Sequence, residues 1–158
     1  MPSSHLVDAA YSLAQKTFDG LGRPLTISVG GRTTRFEYTP DQLPPCANIL
    51  ADGQRIDFTY EAALEHKVLG ILAAGEPEHH FTYHKKLALT ETASGPLGSQ
   101  QMRYSASGKP MSDTWTVDGQ AHTTTWRHSL CGVLLGFVDA QGSDHQRHHD
   151  KSGRLEKL

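Results

Sequence analysis

The segment from Phe18 to Tyr38 reads F-D-G-L-G-R-P-L-T-I-S-V-G-G-R-T-T-R-F-E-Y and holds two strand patterns joined by turn residues. The run L-T-I-S-V at 25–29 and the alternating stretch at 32–38 flank the pair Gly30-Gly31. A Gly-Gly pair supplies the positive φ angles that a two-residue hairpin turn requires. The segment therefore predicts one antiparallel β-hairpin with an aromatic residue at each end.

The same arrangement recurs along the chain with a period of about 22 residues. Each predicted unit ends an alternating stretch with a ring-bearing residue, and successive rings are 20, 22, 23, 21, 22 and 23 residues apart. These repeat anchors are Phe18, Tyr38, Tyr60, Tyr83, Tyr104, Trp126 and His149. Three anchors share a tail with glycine four residues later and a basic residue five residues later: Gly22 and Arg23, Gly108 and Lys109, Gly153 and Arg154.

Glycines run in phase with the anchors and mark the opposite turn of each unit. They lie six to eight residues before every anchor after the first, at Gly31, Gly53, Gly75, Gly98, Gly119 and Gly142. We expect Asp52-Gly53 and Asp118-Gly119 to form the tips of two-residue hairpins. Return strands are predicted at 68–72, 87–92, 112–117 and 133–138, and the apolar runs at 68–72 and 133–138 favour burial on both faces.

One such unit cannot bury its apolar face alone, whereas stacked neighbours can. The predicted fold is therefore all-β, a curled strip of antiparallel β-hairpins that spans residues 18–158. Residues 1–17 form a lead-in segment. Within it, Leu6, Ala10, Leu13 and Ala14 follow Ser3-Ser4 at helical spacing, which is typical of a short capped helix but also fits a degenerate strand.

The tail F-D-G-L-G-R-P-L with the following G-G-R-T-T-R-F-E-Y resembles the YD repeat of bacterial Rhs proteins, of the B and C components of insecticidal toxin complexes, and of teneurins. The resemblance is tight from Phe18 to Tyr38 and looser elsewhere, since Tyr60, Tyr83 and Trp126 lack the Asp and Gly that follow in the family. It implies a non-catalytic, structural role for the anchors and for the glycine and basic residues of the tails.

In the family, YD repeats wind into a hollow shell around a C-terminal toxin that a self-cleaving D-P-x-G-like segment releases. No such segment occurs in this sequence. The resemblance therefore implies a scaffold fragment of a longer encapsulating protein. Its expected partners are neighbouring YD-repeat sequence or a second copy of itself, and a C-terminal toxin as cargo.

The sequence holds no motif of an enzyme or of a cofactor site. It lacks a G-x-S-x-G elbow, a Walker motif and H-E-x-x-H. Six of its ten histidines form two loose groups, at 79–84 and 145–149, whose spacing along strands does not gather three ligands for zinc. We expect no catalytic residue, no metal and no cofactor. Cys46 and Cys131 are 85 residues apart and are expected to be buried free thiols.

Charge and hydropathy limit the cellular context. A net charge of −2 without a basic stripe argues against nucleic-acid binding, and no apolar run approaches the roughly 18 residues of a membrane span. No Sec signal is readable at the start, so we expect synthesis in the cytoplasm and export by a dedicated secretion system or within a toxin complex.

Two other functions compete with the scaffold. The repeated aromatic face is also compatible with a glycan- or protein-binding module, and a histidine-dependent hydrolase is a more distant alternative. Aromatic rings that pack within the sheet favour a scaffold. Rings that lie exposed beside polar side chains favour glycan binding.

Overall fold

The structure, a computed structural model, describes residues 3–8 and 11–157, with side chains from Leu13 onward. Contacts divide the chain into two compact units, Met1–His79 and His80–Leu158. The strands of the first unit are β1 (Ser3–Asp8), β2 (Tyr11–Phe18), β3 (Pro24–Val29), β4 (Arg32–Glu37), β5 (Ala47–Ile49), β6 (Arg55–Glu61) and β7 (Lys67–Ala73). A 3₁₀ helix, Ala62–Leu64, joins β6 to β7.

The second unit continues with strands of similar length. They are β8 (His79–Tyr83), which starts at the boundary residue, β9 (Thr90–Gly95), β10 (Gly98–Tyr104), β11 (Pro110–Val117), β12 (Gln120–His128), β13 (Leu134–Val138), β14 (Asp144–Gln146), β15 (His148–His149) and β16 (Leu155–Lys157).

Within each unit, strands pair with their sequence neighbours in antiparallel register. This holds from β1 through β7, from β8 through β14, and for β15 with β16. The prediction of an all-β strip of antiparallel hairpins is confirmed. The described part of the chain contains no helix long and apolar enough to cross a membrane.

The hairpin tips use two different turns. At Asp118-Gly119 both φ angles are positive, 51° and 76°, and Val117 pairs with Gln120, as expected for a two-residue turn. At Asp52-Gly53 only the glycine has a positive φ, 85°. Gly53 N donates to Leu50 O (3.0 Å) and Leu50 N donates to Gln54 O (2.8 Å), which makes a three-residue loop. The prediction of a two-residue turn is wrong there, because the glycine takes the bulge position of a longer loop.

The structure decides one local prediction from the sequence and corrects another. For the lead-in, where the sequence left a short helix and a degenerate strand open, the structure has strands: β1 and β2 cover 3–8 and 11–18, and β2 pairs with β3. Pairing with a neighbouring strand overrides the helical spacing of its apolar residues; residues 9 and 10 lie outside the described residues. The return strand expected at 87–92 begins at Thr90, because residues 84–89 form a turn in which Ala88 has a φ of 52°.

The core is thin. Among the described side chains, Ala47 is the only fully buried hydrophobic one. The predicted burial of 68–72 and 133–138 on both faces is wrong, since Leu72 and Leu135 are 43% and 42% exposed. Gly70 and Gly136 are the buried members of these strands. The side chains of Glu78 and Thr59 lie over the missing Cβ of Gly70, and the His145 carbonyl and the Arg127 side chain lie over that of Gly136. Stability must therefore depend on contacts between adjacent hairpins.

The two cysteines also differ from expectation. Both are free thiols, as expected, but Cys46 is half-buried and Cys131 is exposed. Cys131 lies in the turn between β12 and β13, where the backbone reverses direction and no neighbouring strand covers it.

Candidate functional site

A five-residue turn recurs in both units and is the local feature on which the candidate site is built. Its first residue is Asp or Ser and its fourth is glycine with a φ between 77° and 86°. The backbone N–H of the glycine donates to the carbonyl of the first residue, and the N–H of the first residue donates to the carbonyl of the fifth. The turns begin at Asp19, Ser105, Ser129, Asp139 and Asp150.

The side chain of the first residue holds this turn closed. Asp19 Oδ1 accepts from the backbone N–H of Leu21 (2.8 Å) and of Arg23 (2.9 Å). Ser105 and Ser129 use their hydroxyl oxygen in the same way, each accepting a bond of 3.1 Å from the fifth residue of its turn. A short polar side chain is needed because only Asp, Asn, Ser and Thr can reach a backbone N–H this near in sequence.

The first aspartate of three of these turns has a lowered pKa. Desolvation raises the pKa of Asp19, but the hydrogen bonds from the side chain and backbone of Arg23 outweigh it and lower the pKa below its ordinary value. The backbone and side-chain bonds of Arg154 lower the pKa of Asp150. The hydrogen bond from His145 lowers the pKa of Asp139. These carboxylates are therefore held in the charged form.

Arg23 connects its own turn to the following hairpin. Its Nε donates to Asp19 Oδ2 (2.7 Å), while Nη1 donates to the carbonyls of Thr39 (3.0 Å) and Gln42 (2.6 Å). The guanidinium also lies 4.4 Å from the centre of the Tyr38 ring. Its side chain is only 14% exposed. A planar cation with several donors can bind a carboxylate, two carbonyls and a ring at once.

The tyrosine completes the connection from the other side. Tyr38 Oη donates to the carbonyl of Pro24 (2.8 Å), the residue next to Arg23. We call this set, comprising Asp19, Arg23, Pro24, Tyr38 and the carbonyls of Thr39 and Gln42, the Arg23 lock. It ties β2 and β3 to the end of β4 through side chains rather than through the strand ladder.

Other tyrosines make the same kind of bond. Tyr60 Oη donates to Pro45 O (2.7 Å) and Tyr104 Oη donates to Thr90 O (2.7 Å), each reaching 14 or 15 residues back along the chain. The Tyr83 ring is half-buried as well. Desolvation raises the pKa of Tyr38, Tyr60, Tyr83 and Tyr104. The phenols therefore stay neutral and available as donors across the physiological pH range.

Five of the seven anchor positions coincide with shifts in strand register, whereas Tyr38, which follows β4, and Trp126 do not. Register shifts occur immediately before Phe18, Tyr60, Tyr83, Tyr104 and His149. In the unit of Trp126 the shift precedes His128, whereas Trp126 pairs regularly with Phe137. Bulges of this kind twist a strand locally and re-aim the residue beside them. Thus His128, and not Trp126, occupies the bulged position in that unit.

The basic residues of the other two tails make fewer contacts. Arg154 Nε donates to Asp150 Oδ2 (2.9 Å), yet its side chain is 82% exposed. Lys109 follows a serine turn, and its Cε lies 3.0 Å from the position that a Cβ on Gly132 would occupy. The three basic residues thus differ in burial although their turns have the same hydrogen bonds.

One other group of titratable side chains lies close together in the second unit. His145 Nε2 is 2.9 Å from Asp139 Oδ2 and its ring stacks on Phe137 at 4.4 Å, but the nearby Asp144 is paired with Arg127. Within 3–8 and 11–157, no three His, Cys, Asp or Glu residues are placed to hold a metal ion. In the described residues, the side-chain contacts that join several elements lie at the turns and rings that connect hairpins.

Solved structures share this arrangement of strands. A chain in the crystal structure of TcdB2-TccC3 superposes with a TM-score of 0.72 at 16% identity, over 92% of this chain and 9% of that chain. A chain of TcdB2-TccC3-TEV superposes with a TM-score of 0.71 at 16% identity, over 91% of this chain and 8% of that chain. A chain of the Tc holotoxin pore of Photorhabdus luminescens superposes with a TM-score of 0.64 at 16% identity, over 92% of this chain and 10% of that chain.

At this identity the likeness establishes the fold: the chain has a β fold of the kind found in a toxin complex. It spans a tenth or less of the length of these chains. No family model matches the sequence, and no curated protein is significantly similar to it.

Reasoning from the sequence missed two of the turns. Ser129–Val133 and Asp139–Ser143 have the same hydrogen bonds as the three tails recognised from the sequence. Neither turn directly follows an anchor of the 22-residue period, so the repeat does not mark them. The pattern of Asp or Ser followed three residues later by glycine matches all five turns, and it also matches Ser28 to Gly31, which forms a two-residue hairpin instead.

Proposed function

We propose that this chain is a structural, non-catalytic scaffold: a segment of a YD-type strip that, within a longer protein, helps to enclose a polypeptide cargo such as a C-terminal toxin. The observation that carries the proposal is the Arg23 lock, whose bonds connect one hairpin to the next. Side chains used in this way contribute to architecture and leave no group free for chemistry.

The half-buried rings support the same function. The hydroxyls of Tyr38, Tyr60 and Tyr104 are bound to backbone carbonyls, as expected for a packing ladder and not for a sugar-stacking strip. The shared fold with TcdB2-TccC3 chains agrees with a shell-like role. We further propose the cellular route that this role requires, synthesis in the cytoplasm followed by export in a toxin complex or by a dedicated secretion system.

The oligomeric state of the isolated chain tests the scaffold. Open strips expose the backbone donors and acceptors of their edge strands, which pair with other chains unless they are covered. We expect light scattering after size exclusion at micromolar concentration to show association beyond the 17.3 kDa monomer. A clean, highly stable 17.3 kDa monomer would show a self-contained domain and contradict the proposal.

Glycan binding is a second candidate, because one exposed ring lies beside polar groups. Trp115 is 49% exposed, and its Nε1 donates to Asp113 Oδ2 (3.1 Å). Gln100 Nε2 donates to both oxygens of Asp113 (3.0 Å each). Gln100, Trp115 and His122 form one cross-strand row. An indole face beside an amide and a carboxylate is suited to a sugar ring.

A glycan array separates the two candidates. If this face binds sugar, the wild-type chain should retain a defined set of glycans and Trp115→Ala should lose them. Trp126→Ala serves as the matched control, because that ring is half-buried and pairs with Phe137. An array without any reproducible binding would leave the scaffold as the sole function.

A further inference from the structure

The internal strand β4 extends past the strand that lies beside it. Its pairing with β3 continues to Arg32, whereas its pairing with β5 ends where Arg35 lies opposite Ile49. The chain turns away after Ile49, because Leu50 N donates to Gln54 O (2.8 Å) and closes a loop. The first three residues of β4 therefore have a neighbouring strand on one side only.

The backbone of Thr33 faces this gap. In an antiparallel pair, the N–H and C=O groups of alternate residues point to the same side of a strand. Glu37 O accepts from Cys46 N (2.8 Å) on the β5 side, so the backbone groups of Arg35 and Thr33 point to that side as well. Arg35 has a partner in β5, whereas Thr33, among the described residues, pairs only with Ser28 in β3. One backbone donor and one backbone acceptor are thus open to an added strand.

A cavity of about 940 Å³ lies beside this open edge. Arg32, Thr33 and Arg35 line it on the side of β4, and Leu50 and Asp52 line it on the side of the loop. It results from the unequal lengths of two internal strands, since β4 has six residues and β5 has three. The space therefore belongs to the interior of the strip.

The two arginines at the cavity have no acidic partner. On β6, Arg55 binds two carboxylates, those of Glu37 and Asp57, at 2.8 Å each. Within the part of the chain that the structure describes, no carboxylate pairs with Arg32 or Arg35, and both side chains are exposed. A guanidinium binds a carboxylate with two parallel hydrogen bonds, so the open edge has the charge to bind an acidic ligand.

An added strand would bring its side chains to both arginines. Successive side chains of a strand point to opposite faces of the sheet, so Arg32 and Arg35 lie on opposite faces. A ligand residue opposite Arg32 lies on the same face as Arg32. The next ligand residue, opposite Thr33, lies on the other face and reaches Arg35 along the diagonal. Two consecutive acidic residues therefore place one carboxylate beside each arginine.

We propose that the open edge of β4, with Arg32, Thr33 and Arg35, is a binding site for an extended peptide segment that has two consecutive Asp or Glu residues. The peptide backbone pairs with Thr33, and the two carboxylates bind the two guanidinium groups. This is a binding activity in addition to the scaffold, and it does not depend on the scaffold function.

Binding of synthetic peptides to the immobilised full chain tests the site. Immobilisation keeps the chains apart, so that self-association does not interfere. The peptide T-V-E-E-V-T should bind with a Kd at least about fivefold lower than that of T-V-Q-Q-V-T, which has the same length but no acidic side chain. Its affinity should fall as salt is added, since salt screens exposed ion pairs. Equal affinities for the two peptides would overturn the proposal.

Variants identify the groups responsible, and circular dichroism confirms that each variant folds. Arg32→Gln and Arg35→Gln should each weaken binding of the acidic peptide about threefold. Arg103→Gln is the matched control, because Arg103 is also exposed on a strand and, in the described residues, has no carboxylate partner. Asp52→Asn should strengthen binding, since it removes a negative charge and keeps the oxygen that accepts from Gln54 N (3.0 Å). Unchanged affinity in both Arg32→Gln and Arg35→Gln would contradict the site.

Hydrogen exchange distinguishes strand addition from a general attraction of anions. With saturating acidic peptide, the amide of Thr33 should exchange at least about tenfold more slowly, because a peptide carbonyl accepts its hydrogen bond. The amides of Arg32 and Thr34, which face β3, should keep their rates. Charge-dependent binding without protection of Thr33 would show an unspecific anion surface and overturn the proposal.

Discussion

Arg23 and Arg154 show that a residue's energetic role depends on what covers it as much as on its own turn. Both bind the aspartate four residues before them, at 2.7 and 2.9 Å. Only Arg23 also binds two carbonyls and a ring. An exposed ion pair contributes little because water and salt screen it, whereas a covered guanidinium leaves several groups unpaired when it is removed.

Substitution of the two arginines should therefore give unequal results. Arg23→Ala is expected to lower the free energy of unfolding by about 2 kcal/mol, since two carbonyls lose a charged donor and the Tyr38 ring loses its partner. Arg154→Ala in the same chain should leave the urea midpoint unchanged. Equal midpoints for the two variants would show that the Arg23 lock contributes nothing to stability.

Gly119 is a position where a side chain conflicts with the backbone itself. Its φ is 76° and a Cβ there would meet nothing within 4 Å, so the conflict is conformational and not steric contact with neighbours. Gly119→Val should cost more than about 1 kcal/mol, because a β-branched residue resists positive φ. Thr125→Val, an exposed position on strand β12, is the control and should change stability much less, as measured by urea unfolding.

At the scale of elements, the turns that begin with Asp or Ser share a side-chain acceptor that does not have to be charged. Asp139 accepts from the N–H of Ser143 (2.8 Å), and Ser129 accepts from the N–H of Val133 (3.1 Å) in an otherwise matching turn. Of these two residues, only Asp139 also binds a histidine: its Oδ2 lies 2.9 Å from His145 Nε2. Its lowered pKa makes the aspartate version sensitive to acid.

The acid sensitivity can be measured by replacing the aspartate with the serine used elsewhere. Since the folded-state pKa of Asp139 is lowered, its contribution is complete above the unfolded pKa of about 3.9 and is lost as pH falls through the folded value. Asp139→Ser should therefore keep the turn and reduce the loss of stability between pH 5 and pH 2. Ser129→Ala, the control, should lower stability equally at every pH. An unaltered acid profile for Asp139→Ser would contradict the assignment.

The hydrogen bonds of the tyrosine hydroxyls predict a loss of stability at high pH, whereas the aspartate turns lose stability at low pH. Desolvation raises the pKa of Tyr60 in the folded chain, so the neutral phenol stabilises the fold below the ordinary value of 10.0, and this stabilisation is lost as pH rises through the folded value. Tyr60→Phe should cost about 1 kcal/mol at pH 7, because Pro45 O loses its donor. Its stability should then fall less between pH 9 and pH 12 than that of the wild type. Chemical unfolding at each pH provides the comparison.

At the scale of the whole molecule, the strand contacts are short in sequence. In the described residues, every substantial strand-to-strand contact joins consecutive strands. Repeat arrays of this kind behave as a series of nearest-neighbour interactions, so damage in one hairpin spreads only to its neighbours.

Hydrogen exchange can test this locality. Arg23→Ala should speed exchange of amides in β2, β3 and β4, whose connection it removes, and leave β10, β11 and β12 at wild-type rates. Trp115→Ala on β11 should give the reverse pattern. A uniform increase across both units in either variant would show that the chain unfolds as one cooperative body.

The sequence by itself determined the strand-and-turn plan. The Gly30-Gly31 and Asp118-Gly119 pairs fix two turns because few residues accept positive φ, and alternation at 32–38 fixes a strand because side chains point to opposite faces with a period of two. These signals are local, so they are readable without knowing what lies across the sheet. The five-residue turns are equally local, because all their backbone bonds lie within five consecutive residues.

Only the tertiary structure decided which residues connect the hairpins. Nothing in the tails distinguishes Arg23 from Arg154, since their difference arises from a ring and a loop 15 to 19 residues away. The bulge at His128 in place of Trp126 and the strand at 3–8 depend likewise on pairing with the neighbouring strand. Burial and register are properties of two segments together, and a one-dimensional pattern carries only the preferences of each segment alone.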